Sequence, residues 1–361
     1  SKAVSAIGSG LKSLTAGAIS AGANFENAMS SVAAISGATG SDFDRLSEKA
    51  KQLGKSTQYT ASETASAMEY MAMAGWKTED MLNGIEGVMD LAAASGEDLA
   101  GVSDIVTDAM TAFGLSADGT TKIIKDGFTK EVSNASHFAD VLAAASANSN
   151  TNVAMLGESF KYAAPVAGSL GYSVEDTAIA LGLMASSGLK SSMAGSSLRT
   201  ILTNLAKPTD DISDAMDYLG ISLQNGDGSM KSLMDIVTDL RGAFGQCKMP
   251  MDQFQENLAK LDEKYANGEL TEKKYNEALA DLTEKAYGAE GALKAKYAAT
   301  LAGKEGMSGL LSIVSAAPED FDKLTNAIYN SDGAAKEMAE IKMDNLQHDV
   351  VKLQSAMEGL G

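Results

Sequence analysis

The chain has 361 residues with 48 acidic and 29 basic side chains, a formal net charge of -19, and few aromatics (6%). That balance repels nucleic acid and anionic lipid. A single cysteine, Cys247, excludes an internal disulfide, and two histidines, His137 and His348, leave little for a metal centre.

The N-terminal part, "LKSLTAGAISAGANF" (11–25), is rich in small residues, and no apolar run approaches the ~18 residues that a membrane span needs. A charged region, apolar block and cleavage site in order are missing, so no signal peptide is expected. The chain begins at Ser1 rather than Met, which reads as a fragment of a longer protein.

Helix signals dominate from residue 41 onward. Ser41 and Asp42 can cap "DFDRLSEKAKQL", with Gly54 as its stop. Thr60 and Glu63 have capping-box spacing and open a helix that Gly75 closes in the left-handed conformation. Thr78 starts the next helix, with Glu79 and Asp80 at the positive end of its dipole. Gly96, Gly114, Gly171, Gly188 and Gly220 punctuate the chain beyond it, and Pro208 stops a helix after Lys207. Glycines inside helices, such as Gly84 and Gly87, each cost ~1 kcal/mol relative to alanine, which points to close approach between helices. Only "ISLQNGDGSMKS" (221–232) reads as a β-hairpin. "MDQFQENLAKLDEKYANGELTEKKYNEALADLTEKAYG" (251–288) reads as a charged helical hairpin turning at Asn267-Gly268.

The chain's one tryptophan sits in "AGWKTED" (74–80), and "LGYSVED" (170–176) matches it about 96 residues further on. Glu63 and Glu158, "AAASG" (92–96) and "MASSG" (184–188), and "LAGVS" (99–103) and "MAGSS" (193–197) also pair, so the pattern reads as a diverged duplication of 41–115 and 135–209. Trp76 and Tyr172, each after a glycine (Gly75, Gly171), read as rings that lock a helix corner. The competing reading is a ligand platform.

Near the end, Ala339, Met343, Leu346, Val350, Leu353, Met357 and Leu360 alternate steps of four and three within a helix beginning near Ala334. That spacing reads as a coiled-coil seam, or else as an ordinary amphipathic helix on the core. His348 lies off the seam and reads as a solvated residue.

Catalytic patterns are missing: there is no HExxH, GxSxG, P-loop or GxGxxG. Cys247 reads as a small buried hydrophobe, the acids as solvated faces and caps, and the 19 methionines as adaptable core filling. No catalytic, cofactor-binding or metal residue is assigned, and the chain is not expected to be an enzyme.

"SMAGSSLRTILTNLAKPT" (192–209), "FENAMSSVAAISGAT" (25–39), "YTASETASAMEYMAMAGW" (59–76) and the stretch 303–340 closely resemble the core region of phage tail tape measure proteins, the lactococcal-phage type. The likeness covers about 20–249 and 298–361, and leaves the hairpin between as an insertion. It implies a structural tail protein of a phage, prophage or tailocin, lying in the virion tail lumen after assembly in the bacterial host cytoplasm. Such a protein templates tube polymerisation, sets tail length and leaves ahead of the DNA. Its implied partners are the tail tube protein, tail chaperones, baseplate or tail-tip proteins and copies of itself through the C-terminal helix. Host membrane contact during ejection is implied as well, and direct nucleic-acid binding is not. Two other readings are a membrane-active pore former and an enzyme with an unrecognised site.

The expected fold is therefore all-α, a multi-helix bundle of short Gly-punctuated helices with a duplicated unit, one small β-hairpin and a coiled-coil-like C-terminal helix. The expected organisation is an N-terminal Gly/Ala-rich segment (1–40), a duplicated core (41–209), a completing hairpin and helix (210–249), an inserted charged hairpin (250–297), and the end of the core with the start of a rod (298–361).

Overall fold

The computed structural model describes residues 22–125, 128–245, 251–287 and 290–343. Among them are sixteen helices and a single two-stranded sheet, an all-α fold. Contacts divide the chain into two compact units. One holds the described residues of Ser1–Gly195 and Glu319–Gly361, the other Ser196–Pro318.

The first unit begins with α1 (22–36), α2 (Ser41–Ser56), α3 (Ala61–Met73), α4 (Thr78–Ser95) and α5 (Leu99–Phe113). The strands β1 (Thr120–Lys125) and β2 (Phe128–Ser133) follow, then α6 (Asn134–Asn148), α7 (Val153–Ser169), α8 (Val174–Ser186) and the first turn of α9 (Ser191–Ala206). Helix α6 is central and packs against α4, α5, α7 and α8. Its Phe138 meets Phe113 of α5 and Phe160 of α7, with ring centroids 5.5 to 6.4 Å apart. Edge-to-face aromatic contact of this kind adds to the burial of the rings themselves.

Local chemistry explains the helix ends. The Thr60–Glu63 capping box forms as expected: Glu63 N donates to Thr60 Oγ1 (3.1 Å), and Thr60 N donates to Glu63 Oε2 (2.7 Å). Gly96, Gly114 and Gly220 are left-handed C-caps. Helix α2 departs from expectation. Gly40 is its N-cap with no side-chain bond, and Gly54 lies inside the helix rather than ending it. A Cβ on Gly54 would lie 2.6 Å from the backbone nitrogen of Ala61, so the glycine serves the approach of α3, not a turn.

The sheet also lies elsewhere than expected. Strands β1 and β2 pair antiparallel from Thr120–Ser133 to Lys125–Phe128, and Asn134 ties their base by donating to Ser116 O and accepting from Thr121 Oγ1 (both 2.9 Å). The segment 221–232 forms a single bridge, Gln224 to Met230, with no strand. Its arms bury only Ile221 among apolar side chains, so no face holds a longer ladder in place.

The second unit contains the rest of α9, α10 (Asp210–Leu219), α11 (Leu233–Gly245), α12 (Met251–Ala266), α13 (Glu272–Tyr287) and α14 (Glu290–Val314). Helices α12 and α13 form a charged hairpin whose turn uses Gly268 at φ +73°. Helix α14 is broken at Gly303, and Ser197 of α9 donates to Glu305 O just beyond the break (2.9 Å). Arg241 donates to the carbonyls of Ile313 and Ala316 (2.8 Å each), satisfying acceptors at the C-terminal end of α14.

After this unit the chain returns to the first through α15 (Pro318–Tyr329) and α16 (Ala334–Met343), which packs on α4 and α6.

Candidate assembly site

The two glycine–aromatic corners share one local geometry. Helix α3 ends with Gly75 at φ +88°, and helix α7 with Gly171 at φ +76°. Gly75 N donates to Ala72 O (2.9 Å) and Trp76 N to Met71 O (3.0 Å); Gly171 N donates to Gly168 O and Tyr172 N to Ala167 O (both 3.0 Å). These pairs have the spacing of Schellman termination, which the left-handed glycine permits. The next helix then starts on opposite halves of a capping box in the two corners. Lys77 N donates to Asp80 Oδ2 (2.7 Å) ahead of α4, and Asp176 N donates to Ser173 Oγ (3.1 Å) ahead of α8.

Both rings are buried, Trp76 at 3% exposure and Tyr172 at 7%. The indole lies along its own following helix. A Cβ on Gly84 would sit 2.6 Å from Trp76 Cζ3 and 3.0 Å from Ala135 Cβ, so Gly84 makes room for the ring between α4 and α6. One turn later Gly87 lets Ser136 approach, 2.7 Å from such a Cβ.

A second constellation joins α6, α8 and the returning helices. Asp140 on α6 accepts from Gly333 N (2.9 Å) and Ala335 N (3.0 Å) at the start of α16. The residue before α16 is glycine, without a side chain to cap it, and Asp140 supplies the missing acceptor. Burial raises the Asp140 carboxyl, and these two bonds partly offset the rise. Tyr329 donates its hydroxyl to Asp176 (2.5 Å), and Lys130 of β2 pairs with Asp332 (3.3 Å). His137 meets Glu175 (2.8 Å). Burial alone would raise Glu175, but the bond from His137 and its other hydrogen bonds outweigh that and hold it below the usual range. A carboxylate can only accept, so His137 Nε2 carries the proton. Asp90 on α4 is raised to about 6 by burial, with Glu86, Asp140 and Glu340 adding to the rise and Lys336 opposing it. Sequence reasoning missed Asp140 and Asp90. The Asp140 contact spans 193 and 195 positions, and no local signal marks it.

Of the expected seam, Ala339 is fully buried against Ala93 and Ala94, and Met343 is packed at the edge of that cluster. Leu346, Val350, Leu353, Met357 and Leu360 lie outside the described residues, as do Cys247 and His348. Among the described residues no group of three or more His, Cys, Asp or Glu could hold a metal ion.

A family model described as "Phage-related minor tail protein" matches residues 47–303. A tape measure protein of Pneumococcus phage Dp-1 is 35% identical over 97% of this chain and 26% of its own length. A probable tape measure protein of Escherichia phage P2 is 25% identical over 88% of this chain and 32% of its own length. The chain thus spans about a quarter to a third of these relatives. No solved structure matches it.

Proposed function

The chain belongs to the phage-related minor tail protein family, and on that premise we propose that it is the folded helical part of a tail tape measure protein. Such a protein is structural. It lies in the virion tail, templates tube assembly, sets tail length and is released during DNA ejection. The observation that carries this reading is the match to a named tape measure protein along nearly the whole chain. The physics agrees with it. A helical chain converts residue number into distance at ~1.5 Å per residue, and a charge of -19 keeps the surface from adhering to DNA in the same tube.

Its partners in this reading are the tail tube protein, tail chaperones, baseplate or tail-tip proteins and other copies of itself, paired through the helix that α16 begins. Residues 41–209 act as a duplicated core, and 250–297 as an inserted arm. The membrane-active alternative gains no support: among the described residues no helix is long and apolar enough to cross a membrane, and most of the 11–25 segment lies outside them.

The test is tail length. Inserting about 60 helical residues after Gly361 in the full-length protein should lengthen the tail by ~90 Å in electron micrographs. Tails of unchanged length would overturn the proposal.

A further inference from the structure

The first unit stacks its helices in two layers. In one, α6 packs between α4 and α8, and α16 packs on α4 and α6. In the other, α5 packs between α3 and α7. Ser103 of α5 donates to Ala67 O of α3 (2.9 Å), and Ile105 of α5 fills the space over Gly157 of α7. Ser159 of α7 donates to Ser191 O at the start of α9 (2.8 Å), which continues the layer. This second layer carries apolar groups in water. Tyr70 and Met73 on α3, Met155 and Tyr162 on α7 and Met193 on α9 are exposed, from 36% for Tyr70 to 61% for Met193. They are half of the large apolar side chains exposed among the described residues, a gathering that singly scattered surface residues do not produce. Met155 and Tyr162 are two turns apart and so share one side of α7, and Gly195 of α9 lies against Tyr162. The same helices are acidic. Glu63, Glu69, Asp104, Asp108 and Glu158 stand against a single base, Lys161, and none of the six is buried.

We propose that the face of α3, α5, α7 and the start of α9 docks an amphipathic helix of another protein, with basic residues flanking its apolar stripe. Methionine is unbranched and flexible, so three of the five apolar groups adapt to the side chains they receive. The acids around them select the bases of the incoming helix. A second copy of the chain does not fit, because its own face would bring the same acids opposite these. Nucleic acid and anionic lipid are repelled by the same charges. Length matches as well: a helix of about 18 residues is ~27 Å long and crosses three helices spaced ~8–10 Å apart. The face is separate from the buried corners at Trp76 and Tyr172 and from the Asp140 contact with α16, and the inference does not rest on the tape measure reading.

The experiment uses the whole chain and a labelled synthetic helix of about 18 residues, with leucine along one face and lysine elsewhere. Two control peptides have the same length. One carries glutamate in place of lysine, and the other scrambles the leucines and lysines so that no face is apolar. Fluorescence anisotropy should show the basic helix binding about tenfold tighter than either control, and hydrogen exchange in α3, α5 and α7 should slow when it binds. Met73→Ser, Met155→Ser and Met193→Ser together alter exposed positions only, so the melt should be unchanged while binding weakens about tenfold. Asp104→Asn and Asp108→Asn with Glu158→Gln should weaken binding and flatten its dependence on salt. Ile35→Ser with Ile341→Ser, exposed on α1 and α16, should leave binding as it was. Equal binding of the scrambled peptide, or slowed exchange confined to other helices, overturns the docking face. Equal binding of the glutamate peptide overturns the charge given to its occupant. Self-association of the chain that the three serines abolish would make a second copy the occupant, and that too overturns the proposal.

Discussion

Gly84 and Trp76 should be energetically coupled, and the sign of the coupling tests whether the indole is a packing element. Gly84→Ala removes a helix-interior glycine, which by propensity alone would stabilise by ~1 kcal/mol. The new methyl would lie 2.6 Å from Cζ3 and 3.2 Å from Cη2 of a ring that is only 3% exposed, and 3.0 Å from Ala135 Cβ. Ordinary carbon contacts are about 3.5–4.0 Å, so ring and helix must move apart. Overpacking of this degree costs about 3 kcal/mol, leaving a net loss of about 2 kcal/mol. Trp76→Phe removes the outer ring atoms and should cost about 1.5 kcal/mol in lost burial and cavity. In the double variant the methyl of residue 84 enters the space those atoms vacated. The pair should then cost about 2 kcal/mol rather than about 3.5, a coupling of roughly 1.5 kcal/mol. The chain has two compact units, so one global transition is a poor gauge. Amide exchange in α4 and α6 isolates the affected region, with urea unfolding followed by circular dichroism as a check. Additivity within about 0.5 kcal/mol would refute the contact and reopen the corner to another role.

Trp76→Ala should destabilise the first unit by about 3–5 kcal/mol, read as a drop in the melting temperature of that unit's transition; an unchanged melt would mean that the ring is not part of its core. Asp90, raised from 3.8 to about 6, is a charge that disfavours the folded state above pH 6. Stability should therefore rise as pH falls through 6 and level off near 4, the opposite of a salt-bridged acid. Asp90→Asn should flatten that window and stabilise at neutral pH by roughly 1 kcal/mol, a figure reduced for partial exposure. Arg241→Ala removes the donors serving Ile313 and Ala316 and should cost about 1.5–3 kcal/mol in the second unit. Arg241→Lys should restore only part, since one ammonium replaces a two-pronged guanidinium.

What was legible in the sequence was local. The Thr60–Glu63 box, the left-handed glycines and the helical hairpin at Gly268 depend on residues within one or two turns of each other, and all three stand as read. Gly54 shows the limit. A glycine that ends a helix and one that admits a neighbour are the same letter, and only the Ala61 backbone decides between them. The sheet was misplaced because the Asn-Gly pair at 225–226 is a strong turn signal whose flanks offer little to bury. The Asp-Gly pair at 126–127 stands between "TTKIIK" and "FTKEVS", runs with the β-branched content that a ladder needs. The Trp76 and Tyr172 corners were visible as a repeat, but the ring's neighbour Ala135 was not, because it comes from a different helix.

The buried carboxylates bear on what kind of protein this is. Acids with raised pKa gathered around a cleft are a usual mark of a catalytic site. Asp90, Asp140 and Asp332 do line one cleft, of ≈ 510 Å³, together with Glu86, Lys130 and Lys336. Four of its acids have structural partners: Asp140 satisfies the first amides of α16, Asp332 pairs with Lys130, Glu86 with Lys49, and Asp118 accepts from the Ser116 hydroxyl. Asp80 and Asp98 do similar work at the starts of α4 and α5, and Asp176 lies in the first turn of α8. Each places a negative charge on the positive end of a helix dipole, where it is stabilised without a cation. A chain of short helices has many such ends, and one this rich in glycine and alanine has few large side chains with which to hold them. These acids therefore close helix starts, Asp140 doing so for a helix other than its own, and the raised values at Asp90 and Asp140 record their burial.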